Sequence, residues 1–263
     1  TLALNIGYIK PPEEVLIDKP VRTIAQPKES NSYKIVFSSN KGNSADLWVM
    51  NHDGSQIEKI VNTNNTPRTN PSCSPDGNWT AFVSHARIVN NIIDTDIYIV
   101  NSNGKDEGKV IIDRLGVSCY PSWSPDSKEI AYVSHSRDES DIFVVRLKDG
   151  LTRRLTLDKA YKSFPLYTLD NKILFSKIEE TYSIWEMNTD GSNQRRLGEE
   201  NGYFATSLSP DGKLIAVTLD AHKKRDIFLM NRQGKILKRL TYGNGSSEYP
   251  VFSPDGKFIA YNH

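Results

Sequence analysis

The chain has 263 residues, with 33 Lys plus Arg against 32 Asp plus Glu and a formal charge of +1. So even a balance, without a basic run, gives no electrostatic footing for nucleic acid or for an anionic membrane surface. No apolar stretch approaches the roughly 18 residues of a membrane-spanning helix, so direct membrane insertion is not expected.

The sequence begins at Thr1 and not at Met, as expected of a processed or excised chain; any signal peptide would precede it. Two short apolar runs come first, Leu4-Asn5-Ile6-Gly7-Tyr8-Ile9 and Glu14-Val15-Leu16-Ile17-Asp18, separated by Lys10-Pro11-Pro12-Glu13. They read as two strands and a turn. Residues 21–27 then supply a candidate strand A, and Tyr33-Lys34-Ile35-Val36-Phe37 a strand B. Asp46-Leu47-Trp48-Val49-Met50-Asn51 follows as strand C, and Asp53-Gly54 as a tight turn.

From residue 67 the pattern repeats. Ser74-Pro75-Asp76-Gly77 returns at Ser124-Pro125-Asp126-Ser127, Thr168-Leu169-Asp170-Asn171, Ser209-Pro210-Asp211-Gly212 and Ser253-Pro254-Asp255-Gly256. The starts are 50, 44, 41 and 44 residues apart. In the intact motif Pro fixes φ, Asp bonds nearby backbone and Gly accepts positive φ, so the motif links two strands tightly. Branched or aromatic runs such as Ile130-Ala131-Tyr132-Val133 and Leu214-Ile215-Ala216-Val217 come next as strand B. Strand C recurs as Asp96-Ile97-Tyr98, Asp141-Ile142-Phe143, Ser183-Ile184-Trp185 and Asp226-Ile227-Phe228. Strand D is seen in Arg153-Arg154-Leu155-Thr156, Arg195-Arg196-Leu197 and Lys238-Arg239-Leu240-Thr241.

Four antiparallel strands per unit, with no helical periodicity, predict an all-β fold: a six-bladed β-propeller spanning residues 1–263 as one domain. Five units cover roughly 21–66, 67–115, 117–158, 160–200 and 203–242. The sixth starts at Glu248 and stops at His263 after strand B. Residues 4–18 are expected to supply its missing strands and close the last blade, which would remove two open sheet edges.

The tetrapeptides at Ser74, Ser209 and Ser253, the Asp226-to-Asn231 strand and turns such as Asp53-Gly54 resemble the repeat of the TolB-type propellers. The resemblance covers residues 21–263. It implies a periplasmic or secreted, non-catalytic scaffold that binds protein, as in the Tol–Pal envelope system and its role in protein transport. The repeats are also similar to those of prolyl-oligopeptidase-type peptidases, of oligogalacturonate lyases and of extracytoplasmic sensors. A metal-dependent lyase or hydrolase, or the regulatory propeller of a larger protein, is therefore the alternative.

The sequence has no GxSxG elbow, no HExxH and no phosphate-cradling GxxxxGK[ST]. No catalytic residue, cofactor or metal is expected. His85 and His135 share a repeat position and are read as exposed loop histidines. Asp46, Asp96, Asp141 and Asp226 are read as caps of the B–C turn, not as a ring of metal ligands. Cys73 and Cys119 are read as free buried thiols.

The variable loops from strand D to the next strand A would converge on the channel mouth. They place Arg68, Asn70, Tyr120, Lys162, Phe164, Tyr203, Phe204, Glu248 and Tyr249 there as candidate partner-binding residues. Aromatics interspersed with charge suit a protein or peptide partner, gripped by a monomer. Tyr120, Phe164 and Tyr249 each precede a proline, so packing of the blade tops is the competing reading.

Overall fold

A computed structural model describes residues 6–9, 33–39, 45–60, 67–89, 92–102, 107–109, 116–136, 139–199, 201–221, 224–242 and 245–262. They contain no helix, hence none long and apolar enough to cross a membrane. The proposed strands at 14–18 and 21–27 lie outside the described residues.

The strands follow in chain order. Ile6–Ile9 is β1. Lys34–Ser39 (β2), Asp46–Asn51 (β3) and Glu58–Lys59 (β4) form one antiparallel sheet. Arg68–Cys73 (β5), Trp79–Val89 (β6), Ile92–Asn101 (β7) and Glu107–Lys109 (β8) form the next. Val117–Trp123 (β9), Glu129–Ser136 (β10), Glu139–Arg146 (β11) and Thr152–Arg154 (β12) follow. A single parallel bridge, Thr95 to Val117, joins these two sheets. Tyr161–Tyr167 (β13), Lys172–Ile178 (β14), Tyr182–Asn188 (β15) and Arg195–Arg196 (β16) make a four-stranded sheet. Tyr203–Leu208 (β17), Leu214–Ala221 (β18), Lys224–Asn231 (β19) and Ile236–Arg239 (β20) make another. Glu248–Phe252 (β21) and Ile259–Asn262 (β22) end the chain, and β1 pairs with β22 through Ile6↔Asn262 to Ile9↔Ile259.

The chain divides into two compact units, one of residues 24–159 and one of 160–263 with 3–23. In the second unit the reason for stacked sheets can be read from β18. Successive side chains of a strand point to opposite faces. Ile215 and Val217 pack into a core with Tyr203 of their own sheet and Leu174, Ile184 and Leu197 of the preceding one. Leu214 and Ala216 pack the other way, against Phe252 and Ile259 of the following one. Both faces of β18 are covered, so it reads as a continuous apolar run. Full burial of each such side chain contributes about 1.5–3 kcal/mol. In the first unit Leu47, Phe82 and Val100 form the corresponding core between the β2–β4 and β5–β8 sheets.

The repeated tetrapeptide has one hydrogen-bond scheme. The Ser hydroxyl donates to the Asp carboxylate at 2.5, 2.7, 2.6 and 2.6 Å in the motifs of Ser74, Ser124, Ser209 and Ser253. The same hydroxyl accepts the first strand-B amide, from Trp79, Glu129, Leu214 and Phe258, at 2.9–3.0 Å. The Ser124 hydroxyl foremost, against a smaller opposing effect of burial, holds the Asp126 carboxyl below its ordinary range. In the third of the five motifs Thr168 accepts the Lys172 amide at 3.0 Å, one residue sooner, and Asn171 takes the positive φ that Gly77 has elsewhere.

Three sequence expectations change here. Asp141 and Asp226 do not cap the B–C turn. Each clamps the end of strand D: Asp141 accepts from the Thr156 hydroxyl at 2.7 Å and from Arg154, and Asp226 accepts from Arg239 at 2.8 Å and from Thr241 at 3.3 Å. Asp46 is held likewise by Lys59 at 2.7 Å. A turn so close to a basic strand D presents the carboxylate with a cation, which binds more strongly than a local amide. His85 and His135 lie within β6 and β10 because those hairpins run on past the predicted strand ends, and His135 is half-buried. Cys119 is buried, and burial pushes its thiol up to about 12. Cys73 is exposed at the end of β5, an edge strand.

Candidate aromatic binding site

The first strand of four sheets carries the same irregularity. Asn70, Tyr120, Phe164 and Tyr249 have φ of 50°, 54°, 51° and 56°, and each precedes a proline. The strand register shifts at each of them. Left-handed backbone is uncommon for residues other than glycine, and unusual for bulky aromatics. Such bulges bend the strand and re-aim a side chain. β17 has Ala205-Thr206 there, without the proline; it still shifts register but has no positive φ.

In the second unit the re-aimed side chains meet. The Phe164 ring stacks on Phe204 with centroids 4.8 Å apart. Tyr249 lies 6.1 Å from both, and Tyr182 lies 5.3 Å from Phe204. The Arg225 guanidinium sits 6.0 Å from the Phe204 ring centre and donates to Glu248 at 2.5 Å. Phe204 is the buried floor and Tyr249, 38% exposed, the accessible rim. Offset aromatic pairs contribute about 0.5–1.5 kcal/mol beyond their buried area. The result is an aromatic cluster with one ion pair at its edge.

Phe164, Phe204, Glu248 and Tyr249, expected at a binding surface, are thus brought together. Tyr203 is not part of this group: it packs edge-on to Phe228, centroids 5.5 Å apart, inside the core. The residues of a strand alternate, so Tyr203 and Phe204 cannot both face the site. Lys162 is 1% exposed, and Arg68 is buried with its guanidinium 4.9 Å from the Phe82 ring centre, so neither is a surface contact. Asn70 and Tyr120 are half-buried residues of the first unit.

Sequence reasoning missed Tyr182 and Arg225. Both stand immediately before the recurrent strand-C residue, Ser183 or Asp226. That position binds the following sheet through its backbone: the carbonyls of Ala45, Tyr182 and Arg225 accept from Arg68, Gly202 and Ser247, each at 2.7 Å. Its place in the repeat was a signal that it reaches the next strand A.

Among the described residues no group of three or more His, Cys, Asp or Glu could hold a metal ion.

No protein-family profile matches the chain. An uncharacterized protein of Agrobacterium fabrum is 30% identical over 97 residues, which span 37% of this chain and 32% of that protein. TolB from Acinetobacter baumannii superposes with a TM-score of 0.67 at 18% identity, over 87% of this chain and 63% of its own. A TolB-type protein of Agrobacterium tumefaciens gives 0.68 at 22% identity, over 91% and 92%. An oligogalacturonate lyase in complex with manganese gives 0.61 at 15%, over 85% and 65%. The chain therefore spans about a third of the curated relative and less than two thirds of the first TolB. The fold is an all-β propeller fold. Its particular form is TolB-like.

Proposed function

We propose that the chain forms a closed six-bladed propeller that acts as a non-catalytic scaffold, binding a protein or peptide through the Phe164–Phe204–Tyr249 cluster. The observation that carries this reading is the cluster itself. Three successive sheets each spend an irregular strand start on it, and its rim is accessible. The pairing of β1 with β22 supports closure by the first residues of the chain. The TolB-like fold supports a role in the bacterial envelope, periplasmic or secreted, as a monomer without a cofactor.

The test is capture from an envelope extract by the wild-type chain and by the double variant Phe164→Ala, Tyr249→Ala. The reading predicts a discrete partner retained by the wild type and lost by the variant. Equal capture by both would remove the cluster as the binding surface.

A metal-dependent lyase is the second reading, supported by the likeness to the manganese-containing lyase. Metal analysis of the purified protein separates the two. A stoichiometric transition metal favours the enzyme, and metal-free protein that still captures its partner favours the scaffold.

A further inference from the structure

A second concavity, of 290 Å3, opens at the opposite end of the same strands. It lies between the β13–β16 and β17–β20 sheets, and its polar lining includes Lys172, Glu186, Arg195, Asp211, Arg232 and Gln233. At its base is a residue that breaks the repeat. Glu186 pairs with Leu174 in β14, as Val144 pairs with Ala131 and Leu229 with Ala216 in sister sheets. Val144 and Leu229 are fully buried core residues. Glu186 is just as inaccessible, at 2% exposure. A carboxylate in that place is tolerated only with close compensation.

The compensation is threefold. Lys172 and Arg195 both donate to Glu186 Oε1, at 2.9 and 2.7 Å. Arg232, from the turn after β19, donates to Oε2 and reaches Asp170 at 3.5 Å. Burial alone would raise the Glu186 carboxyl, but these three cations outweigh it and hold it down to about 2, so it stays charged. Asp211 is occupied by the Ser209 hydroxyl at 2.6 Å and by Lys213 at 3.9 Å.

The sister sheet shows what the frame would do without Glu186. There Glu129 and Arg153 hold the positions of Lys172 and Arg195, and they pair directly at 3.1 Å. In β13–β16 the pair has become two cations, drawn together over one oxygen. Among the described residues neither side chain meets any other acceptor. Lysine has three donors and arginine five, so most of theirs remain open to the cavity. Lys172 and Arg195 side chains are 35% and 59% exposed, so solvent reaches both.

We propose that this pocket binds an oxyanion, a carboxylate or phosphate group, between Lys172 and Arg195. Glu186 acts from beneath as a positioning residue. It fixes two like charges at a short separation that they would otherwise avoid, and a planar guanidinium beside a point-charge ammonium then suits two oxygens of one anion. The site is separate from the aromatic cluster and does not depend on it.

The test is an NMR titration of the isotope-labelled full chain with sodium acetate and with sodium phosphate, at constant ionic strength set by chloride. Saturable shifts are expected at the Arg195 side chain and at the Gly212 and Gln233 amides. Arg195→Gln and Lys172→Gln should each weaken binding by about tenfold or more, the effect of losing one charge-assisted hydrogen bond. Arg153→Gln, at the equivalent position of the sister sheet, should leave it unchanged. Saturation by acetate alone identifies a carboxylate ligand, by phosphate alone a phosphate, and by both a general oxyanion site. Shifts that never saturate with either anion overturn the proposal. So does saturable binding that survives in both the Arg195→Gln and Lys172→Gln variants, whose preserved spectral dispersion reports that they have folded.

Discussion

The two ends of the inner strands follow opposite rules. At the turn end, four motifs repeat the same residues and the same bonds, with the Ser–Asp distance varying only from 2.5 to 2.7 Å. At the start, four strands repeat the same backbone, with φ from 50° to 56°, while the residue there is Asn, Tyr, Phe and Tyr. One end therefore fixes geometry through side chains. The other fixes geometry through a proline-linked bulge and leaves the side chain open to vary. Repetition of residues marks the frame, and repetition of shape with changing residues marks the place where recognition can be written.

Substitutions at the turn end should accordingly unfold the chain, and those at the start should spare it. The largest effect is expected elsewhere in the frame, of Gly234→Ala in the β19–β20 turn. Its φ is +82°, and an added Cβ would lie 2.4 Å from the Gly198 amide nitrogen. Left-handed strain and overpacking together predict a loss of about 3 kcal/mol, read as a lower urea midpoint with an unchanged slope.

Acid should come next. The Glu186 carboxyl is depressed in the folded chain to about 2 from an ordinary 4.5. A group depressed on folding stabilises above its unfolded value and loses that contribution as pH falls toward the folded one. Stability should therefore decline from about pH 4.5 toward pH 2, by on the order of 2 kcal/mol once solvent screening of Lys172 and Arg195 is allowed for. Glu186→Gln should flatten that part of the pH dependence of the urea midpoint. A profile identical to wild type would separate Glu186 from acid unfolding.

Ser209→Ala is expected to cost about 1.5 kcal/mol, because the buried Leu214 amide loses its acceptor at 2.9 Å. Thermal unfolding of this variant beside Ser253→Ala would show whether all copies of the motif carry similar weight. Tyr249→Ala should be smallest, about 0.5 kcal/mol or less, since the ring stands at an accessible rim. A Tyr249→Ala loss as large as that of Ser209→Ala would make the strand start part of the frame and erase the distinction.

The strands were legible because their signals are local. Ser-Pro-Asp-Gly and the Asp-Ile-Phe runs fix turns and strands within a few residues, and β1 was expected because the sixth unit stops after strand B and lacks two strands. The side-chain partners were harder to see. Whether Asp141 would bond a turn amide or Arg154 depends on how far the hairpin extends, which the hydrophobic pattern does not encode. Tyr203 and Phe204 are adjacent and alike, and only the register of β17 against β18 decides which faces the core. Arg225 looked like any polar residue of a B–C loop until its carbonyl was seen to hold Ser247. Glu186 was visible as an acid within an apolar run, but its three partners come from two sheets, and no spacing in the sequence announces Arg232.

The bond between successive sheets made by the carbonyls of Ala45, Tyr182 and Arg225 is indifferent to the side chain beside it. A small methyl, a phenol and a guanidinium all occupy this joint without altering the 2.7 Å contact. Adhesion between neighbouring modules and the chemistry displayed at their seam are thereby uncoupled. New specificities could be grafted one seam at a time, with the join itself untouched.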